Sequence, residues 1–370
     1  MLNFSLCCNV DNPARLCYAV PVNKHWRISR MTNRCDISVD KRFSAVMSTC
    51  SILSAILVVW IHAYNVEMYS DTNRVIYWLQ DAISQGIARG AVPFFLMSSA
   101  FFLYSKDKNV WDVYQSRAKS VLIPYLLWNT VYMVILTVLH HLSLVSIGMD
   151  VITVGNVAQG IFLNRYNYTY WFMRDLIVLV VFYTLIRWII SRGKIASLIG
   201  MAGLLTAYYC GLKWMGSAVY YYVGAVIGYH FKQYAVNAVA MKKKWKILAF
   251  LACVCVAGVL FWVKNVCKVD APELFRDLAM AFVLFFAVVS FDIHIRGVFA
   301  TLSFMIYSLH PLILEIVEKI IYLYCPHTDL WMVIDYMVAP IITMGTIAAV
   351  CLLWKKILPK VYKVFNGGRS

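Results

Sequence analysis

From about residue 45 onward, the chain is a succession of apolar stretches of about 20 residues separated by short polar segments. A helix of that length spans roughly the 30 Å hydrocarbon core of a bilayer. Alternating segments typical of a transmembrane β-barrel do not dominate. The pattern predicts an all-α, polytopic membrane protein, a bundle of about ten transmembrane helices. The predicted spans are 45–65, 76–104, 119–140, 169–190, 194–212, 216–233, 245–263, 273–291, 297–320 and 331–354.

The second predicted span is too long for a simple crossing. Its roughly 29 residues would extend over about 43 Å as one α-helix. Gly86, Gly90 and Pro93 lie in its middle. The sequence therefore predicts a break or kink at this point.

The polar segments between the spans alternate in charge. Segments 41–42, 106–119, 187–194, 232–246 and 355–363 are rich in lysine and arginine, whereas the intervening segments carry acidic and few basic residues. Because basic loops of membrane proteins face the cytoplasm, both the N- and the C-terminus are predicted to be cytoplasmic. The predicted division is a flexible cytosolic extension (1–40), a transmembrane domain (41–358) and a basic cytosolic tail (359–370).

The net charge of +16 does not indicate nucleic-acid binding, because the basic residues lie between hydrophobic spans. A basic inner surface suits anionic membrane lipid, and it would also attract an anionic cytosolic donor such as a coenzyme phosphate. The eleven cysteines form neither a CxxC pair nor a spacing typical of metal ligands, so we predict no metal site and no disulfide framework.

Several ionisable side chains interrupt the apolar spans, where such groups are unfavourable and are usually kept for function. They are His62, Arg89, Arg174, Asp175, His310 and Asp335. His62 suits a general base acting on a hydroxyl, or a histidine hydrogen-bonded between helices. With the predicted orientation, these groups gather from mid-membrane to the outer half, which indicates a hydrated cavity there.

The other polar positions have interpretations of their own. Arg89, beside the glycine/proline break, is placed either to hold a phosphate or carbonyl or to extend toward the interface. Arg174 and Asp175 diverge by about 100° on a helix, so each is expected to pair with another span. Trp171, just before them, suits the interfacial aromatic belt. His310, followed by a proline, suits a polar contact between helices.

Six ordered motifs carry a resemblance to a known family. They are LVVWIHAYN around His62, ARGAVPFFLMSSAFFLYSKD, SRAKSVLIPYLLWN, YWFMRDLIVLV, YYVGAVIGYH and FMIYSLHPLILE. Together they resemble the membrane acyltransferase 3 family over about residues 42–355. The resemblance implies an integral-membrane enzyme that transfers an acyl group, most often acetyl from cytosolic acetyl-CoA, to a hydroxyl of an extracytoplasmic cell-surface glycan.

The resemblance also implies a site. The family's first-helix histidine corresponds to His62 and the arginine before its VPxF run to Arg89, which we take as catalytic. Substrate contacts are expected from Arg117, Trp171, Arg174, Asp175, Tyr307, His310 and Glu315. No permanently bound cofactor is expected, since acyl-CoA is a donor substrate. The expected partners are membrane lipid, acyl-CoA and the glycan, without nucleic acid, in a bacterial inner or plasma membrane.

The chain departs from the family at two places. The family's SGF/SGY sequence reads SSAFF at residues 98–102, and the departure that matters more lies in the first span. Members usually carry arginine or lysine eleven positions before the histidine, where this chain has Ser51. Eleven residues span about 16–17 Å of helix, so the missing cation belongs toward the inner leaflet, where an anionic donor enters. Either a residue such as Arg42 or Arg117 substitutes, or the donor differs, or activity is impaired.

Two other functional classes stay open from the sequence. Ten helices, a broken second span and buried charges also suit a transporter or exporter of a small anion or a lipid-linked glycan. The absence of an evident internal repeat weighs against that class. A catalytically inactive accessory subunit of a glycan pathway is the third interpretation, which Ser51 favours.

Overall fold

The computed structural model describes residues 25–65, 74–142, 153–267, 273–295, 299 and 301–369, with side chains from residue 40 onward. This part of the chain contains sixteen α-helices and no strand. They are α1 (His25–His62), α2 (Arg74–Asp81), α3 (Ala91–Tyr104), α4 (Val110–Arg117), α5 (Ile123–His141), α6 (Val154–Phe162), α7 (Trp171–Val181), α8 (Tyr183–Ser191), α9 (Lys194–Tyr209), α10 (Met215–His230), α11 (Lys232–Ala238), α12 (Lys243–Cys267), α13 (Glu273–Ser290), α14 (Ser303–Tyr324), α15 (Asp329–Ile357) and α16 (Pro359–Phe365). The all-α prediction is confirmed.

Among the described residues, five helical segments are long and apolar enough to cross a membrane. They are Asp40–His62, Arg74–Tyr104, Val110–His141, Lys243–Cys267 and Asp329–Ile357, and each coincides with a predicted span. In α12 only 11% of the most apolar window is buried within the protein. Leu251, Val259 and Trp262 of this helix are exposed. Soluble proteins rarely expose so large an apolar surface, so lipid is its natural solvent.

The other five predicted spans also coincide with helices, but these are shorter or more charged. They are α7 with α8, α9, α10, α13 and α14. The number of crossings therefore stays a prediction. At the N-terminal end, the predicted boundary at residue 40 falls inside α1, which begins at His25, and residues 1–24 lie outside the described part of the chain.

The predicted interruption of the second span is confirmed. After α2 the backbone passes through a π-helical turn, Ala82–Ile87, and a 3-10 turn, Ala88–Gly90, before α3 begins. A Cβ on Gly90 would lie 2.6 Å from the backbone carbon of Met280, so glycine lets this turn lie directly on α13. The altered turns place Arg89 on the exposed side of the segment.

Helices α3 and α10 pack closely, and two glycines four residues apart make their contact possible. A Cβ on Gly224 would lie 2.1 Å from the carbonyl oxygen of Met97, and one on Gly228 would lie 2.5 Å from that of Phe101. Small residues at this spacing let membrane helices pack backbone against backbone. This contact positions α3, whose other side chains line the cavity described below.

Replacing Gly224 by alanine is expected to destabilise the protein by about 1–3 kcal/mol, because the added methyl group collides with the backbone of α3. Gly258 of α12 is the matched control, since a Cβ there meets nothing within 4 Å. Alanine gains a similar helix propensity at both positions. Thermal unfolding in detergent should show a lower midpoint for Gly224→Ala alone, and equal midpoints for both variants would contradict the packing argument.

Candidate active site

His62 lies at the C-terminal end of α1, half-buried, between two aromatic side chains. Its ring centroid is 5.1 Å from that of His310, and the two planes are inclined by 34°. On another side, the hydroxyl of Tyr168 lies 3.5 Å from His62 Nδ1, at the outer limit of a hydrogen bond. Two imidazoles and a phenol from three separate segments thus converge at this end of α1.

The orientation of His310 follows from its hydrogen bonds. This residue has no exposed surface, and its Nδ1 lies 2.9 Å from the carbonyl oxygen of Tyr307 and 3.1 Å from that of Ile306. Because a carbonyl only accepts, Nδ1 carries the proton of the neutral ring. Nε2 is then an acceptor, and it has no hydrogen-bond partner among the described residues. A buried imidazole therefore presents a bare nitrogen beside His62.

Tyr307 fixes the turn that carries Tyr168. Its hydroxyl donates to the carbonyl oxygen of Thr169 at 2.6 Å. Its ring stacks on Tyr170 with centroids 5.4 Å apart and planes within 7°. These contacts tie the short turn Tyr168–Tyr170 to α14. Tyr307, which we predicted to contact substrate, is 4% exposed and acts in this structure as a support for the cluster.

A buried polar network holds the chain just after His62. Asn65 Nδ2 donates to Asp335 Oδ2 at 2.9 Å, and Gln80 Nε2 donates to Asn65 Oδ1 at 2.8 Å. One turn further along, Ser84 Oγ donates to the carbonyl oxygen of Trp60 at 2.6 Å. These bonds join the end of α1 to α2, the π-helical turn and α15. They limit movement of His62, because Trp60 before it and Asn65 after it are both held by hydrogen bonds.

Three further predicted residues, Arg89, Trp171 and Glu315, keep exposed surface. Arg89 is exposed, and its guanidinium bonds to Gln85 one turn earlier on its own helix. It is close enough to His62 to interact electrostatically with the ring, without a hydrogen bond between them. Trp171 is 40% exposed, which fits a belt position, and Glu315 is exposed on α14.

Arg174 and Asp175 lie apart from the cluster, in a separate cavity with Trp214 and Ser217. The expectation that each pairs with another span holds for Asp175, whose Oδ2 accepts from Ser217 Oγ of α10 at 2.8 Å. It is wrong for Arg174, whose Nη2 lies 3.0 Å from Asp175 Oδ1. The Arg174 side chain is long enough to reach its neighbour across the helix surface although the two Cβ vectors diverge.

Another cavity, of about 270 Å³, is bounded by α1, α3, α4, α7 and α14. Its wall includes Arg117, which donates through Nη1 to Ser99 Oγ at 3.3 Å and through Nη2 to the Ser99 carbonyl at 3.2 Å. Ser51 and Tyr307 also line it. Since Tyr307 lies one helical turn before His310, with ring centroids 6.1 Å apart, the cavity ends beside the imidazole cluster.

Sequence reasoning missed several residues of this site. Tyr168 lies in the segment 141–168, where no pattern marks it, and Asn65 and Gln80 flank a polar loop. The one available signal was that Asn65 and Asp335 lie at the same predicted depth. No group of three or more histidine, cysteine, aspartate or glutamate residues in the described segments could hold a metal ion.

Comparison with known proteins gives one match. The sequence model of the family described as "Acyltransferase domain" matches residues 52–355, most of the chain, and this range includes His62 and His310. No curated protein and no solved structure matches.

Proposed function

The chain belongs to this acyltransferase domain family and is an acyltransferase for groups other than amino-acyl groups, and we propose that it carries an acyl group from cytosolic acyl-CoA to a hydroxyl of an extracytoplasmic glycan. Acetyl-CoA is the proposed donor and a cell-surface polysaccharide the proposed acceptor. The observation that carries the proposal is that α1 joins two sites. Ser51 lines the arginine-bearing cavity, and His62 lies in the imidazole cluster near the other end of the same helix.

We further propose ten crossings with both termini cytoplasmic, in a bacterial inner or plasma membrane. Contacts between helix ends support this arrangement. Predicted inner ends meet one another, as Arg42 and Asp292 do at 3.1 Å and Arg187 and Asp107 at 2.6 Å. Predicted outer ends likewise meet, as in the bond from Asn65 to Asp335. The proposed sides place Arg117 toward the cytosol and His62 toward the outside.

In the proposed reaction His62 accepts the proton of the acceptor hydroxyl as its oxygen attacks the thioester carbonyl. The new ester bond forms and the carbon–sulfur bond breaks. The coenzyme thiolate leaves and takes the proton from the imidazolium. We assign to the positive charge of Arg89 the stabilisation of the developing oxyanion. His310 holds His62 in position, and Tyr168, Trp171 and Glu315 are assigned to the acceptor side.

On the donor side, the proposal assigns Arg117 to the anionic part of acyl-CoA. Its bonds to Ser99 fix the planar guanidinium in the cavity wall. A fixed guanidinium is well suited to phosphate because it donates two parallel hydrogen bonds. Arg174, held by Asp175 in the separate cavity, is left without a part in the reaction.

Inverted membrane vesicles, whose cytosolic face is outward, test the proposal directly. Acetyl-CoA added outside should release free thiol, and acetyl ester should accumulate on glycan in the lumen, both measured by mass spectrometry and thiol titration. Vesicles from a strain lacking the gene are the control. A transporter or an inactive subunit would release no thiol above that control, and such a result would overturn the enzymatic proposal.

A further inference from the structure

Arg369, which follows α16 at the far end of the described chain, lies in the wall of the same cavity as Arg117 and Ser51. Two arginines and four serines therefore line one space. The serines are Ser51, Ser98, Ser99 and Ser303. None of the described lining residues is acidic.

The segment after α16 is built to direct this side chain inward. Gly367 and Gly368 have φ values of +64° and +77°, a conformation that glycine alone adopts without strain. Their amides cap α16 by donating to the carbonyl oxygens of Val364 and Lys363. The buried Asn366 then donates through Nδ2 to the carbonyl oxygen of Arg369 at 2.6 Å. The chain thus turns back over the cavity.

Neither arginine has a carboxylate partner among the described residues. Arg117 donates to Ser99, and Arg369 donates through Nη1 to the carbonyl oxygens of Ser120 and Asn366 at 3.3 and 3.1 Å. The Arg369 guanidinium also lies 4.6 Å from the centroid of the Phe304 ring. Burial of the guanidinium, followed by the nearby Arg117, lowers the pKa of Arg369 to about 10. The residue as a whole keeps exposed surface. Both arginines stay charged at neutral pH, and an anion between them would relieve their repulsion.

We propose that Arg369 and Arg117 together bind the phosphate groups of an acyl-CoA donor, and that Arg369 supplies the cation that Ser51 lacks. This inference rests on the proposed function. Phosphate bound by two guanidinium groups forms charge-assisted hydrogen bonds, the strongest available to a neutral-pH anion in a protein. A cation from the distant end of the chain thus reaches the space into which a basic residue at position 51 would project.

The remaining walls of the cavity suit the pantetheine chain of acyl-CoA. Phe95, Phe172 and Leu176 also line the cavity. Its volume of about 270 Å³ is close to the lower limit of small-molecule sites, about 300 Å³. The cavity accordingly encloses a narrow chain and leaves the nucleoside of the donor outside.

Calorimetric binding of CoA and of pantetheine to the purified full chain in phosphatidylcholine nanodiscs tests the inference. Arg369→Ala should weaken CoA binding about 10- to 100-fold, as expected for loss of hydrogen bonds to a charged group. Pantetheine, which has no phosphate, should bind both proteins equally. Lys363→Ala is the matched control, since Lys363 is an exposed cation of α16, and it should leave CoA binding unchanged.

A compensating variant shows whether Arg369→Ala weakens CoA binding through the loss of a positive charge or through a change in folding. Ser51→Arg in the Arg369→Ala background should recover most of the lost CoA affinity, because the new guanidinium enters the space that Arg369 left. Arg369→Lys should show an intermediate affinity. No recovery in the double variant, with an unchanged thermal midpoint, would overturn the claim that Arg369 replaces a cation at position 51.

The outcomes distinguish this inference from the proposed function. Equal CoA affinity of the parent and Arg369→Ala, with acetyl transfer intact, overturns the inference and leaves the function standing. Absence of CoA binding by the parent overturns both the inference and the proposed donor. Arg369-dependent binding without any thioester consumption supports the inference and contradicts the enzymatic proposal.

Discussion

Replacing His62 by alanine is expected to lower acyl transfer by about 10²–10⁴-fold, the usual contribution of a positioned general base. The imidazole is the titratable group on α1 where the Tyr168 hydroxyl and the His310 ring converge. The protein should still insert and fold, because the anchoring bonds of Ser84 and Asn65 involve other residues of this segment. Initial rates of acetyl ester formation in inverted vesicles measure the effect.

His141→Ala is the matched control for His62→Ala. His141 is an exposed histidine at the end of α5, bonded to a carbonyl oxygen of its own helix, and its loss should leave the rate unchanged. CoA affinity should be retained in both variants, since neither histidine lines the donor cavity. A His62→Ala enzyme with the parental rate would remove His62 from the mechanism.

Replacing His310 by phenylalanine is expected to lower the rate by about 10²-fold, because a small displacement of the base that His310 positions can cost that much. The ring and its packing are kept, while the bare Nε2 beside His62 is lost. Of the two carbonyl oxygens that accept from His310 Nδ1, that of Ile306 keeps the backbone N–H of His310 as a helical partner. That of Tyr307 faces Pro311, which has no N–H, so it loses its donor in the variant, and the thermal midpoint must be compared with the parent. We expect the loss in turnover rather than in donor binding.

Two comparisons decide whether the histidines work as a unit. The double variant His62→Ala/His310→Phe should be about as slow as His62→Ala alone, because residues that act together lose activity non-additively. His230→Phe is the control for the substitution itself, since His230 is half-buried and bonded to Ser197 in another part of the bundle. Multiplied losses in the double variant would show that His310 acts independently of His62.

The sequence was sufficient for the helices but not for their arrangement. Hydropathy depends on each residue's own transfer free energy, so the apolar spans could be read from the sequence. The interruption near Gly90 followed from the length of the second span and from the glycines and proline in its middle. Which helix faces which depends on contacts such as that of Gly224 with Met97, which hydropathy does not report. The expectation that Arg174 pairs with another span was wrong for this reason, because the reach of its side chain lets it bond to Asp175 instead.

The candidate site shows the same limit. Its position near the end of α1 followed from His62, an ionisable residue in an apolar run. Its composition did not, because Tyr168 belongs to a turn without periodicity and Arg369 is more than 300 positions away from Ser51. Residues so distant in the chain become neighbours through tertiary packing, which local patterns cannot encode.

One feature of α1 has a bearing on substrate choice. Ser51 and His62 are separated by three full turns of the helix, so they point to nearly the same side at a separation of about 16–17 Å. Because a continuous helix keeps a constant length, α1 fixes the distance between the site for the anionic end of the donor and the site for its thioester carbon. Thioesters whose linker is shorter than this distance would leave their carbonyl out of reach of the imidazole, however tightly their charged end were held.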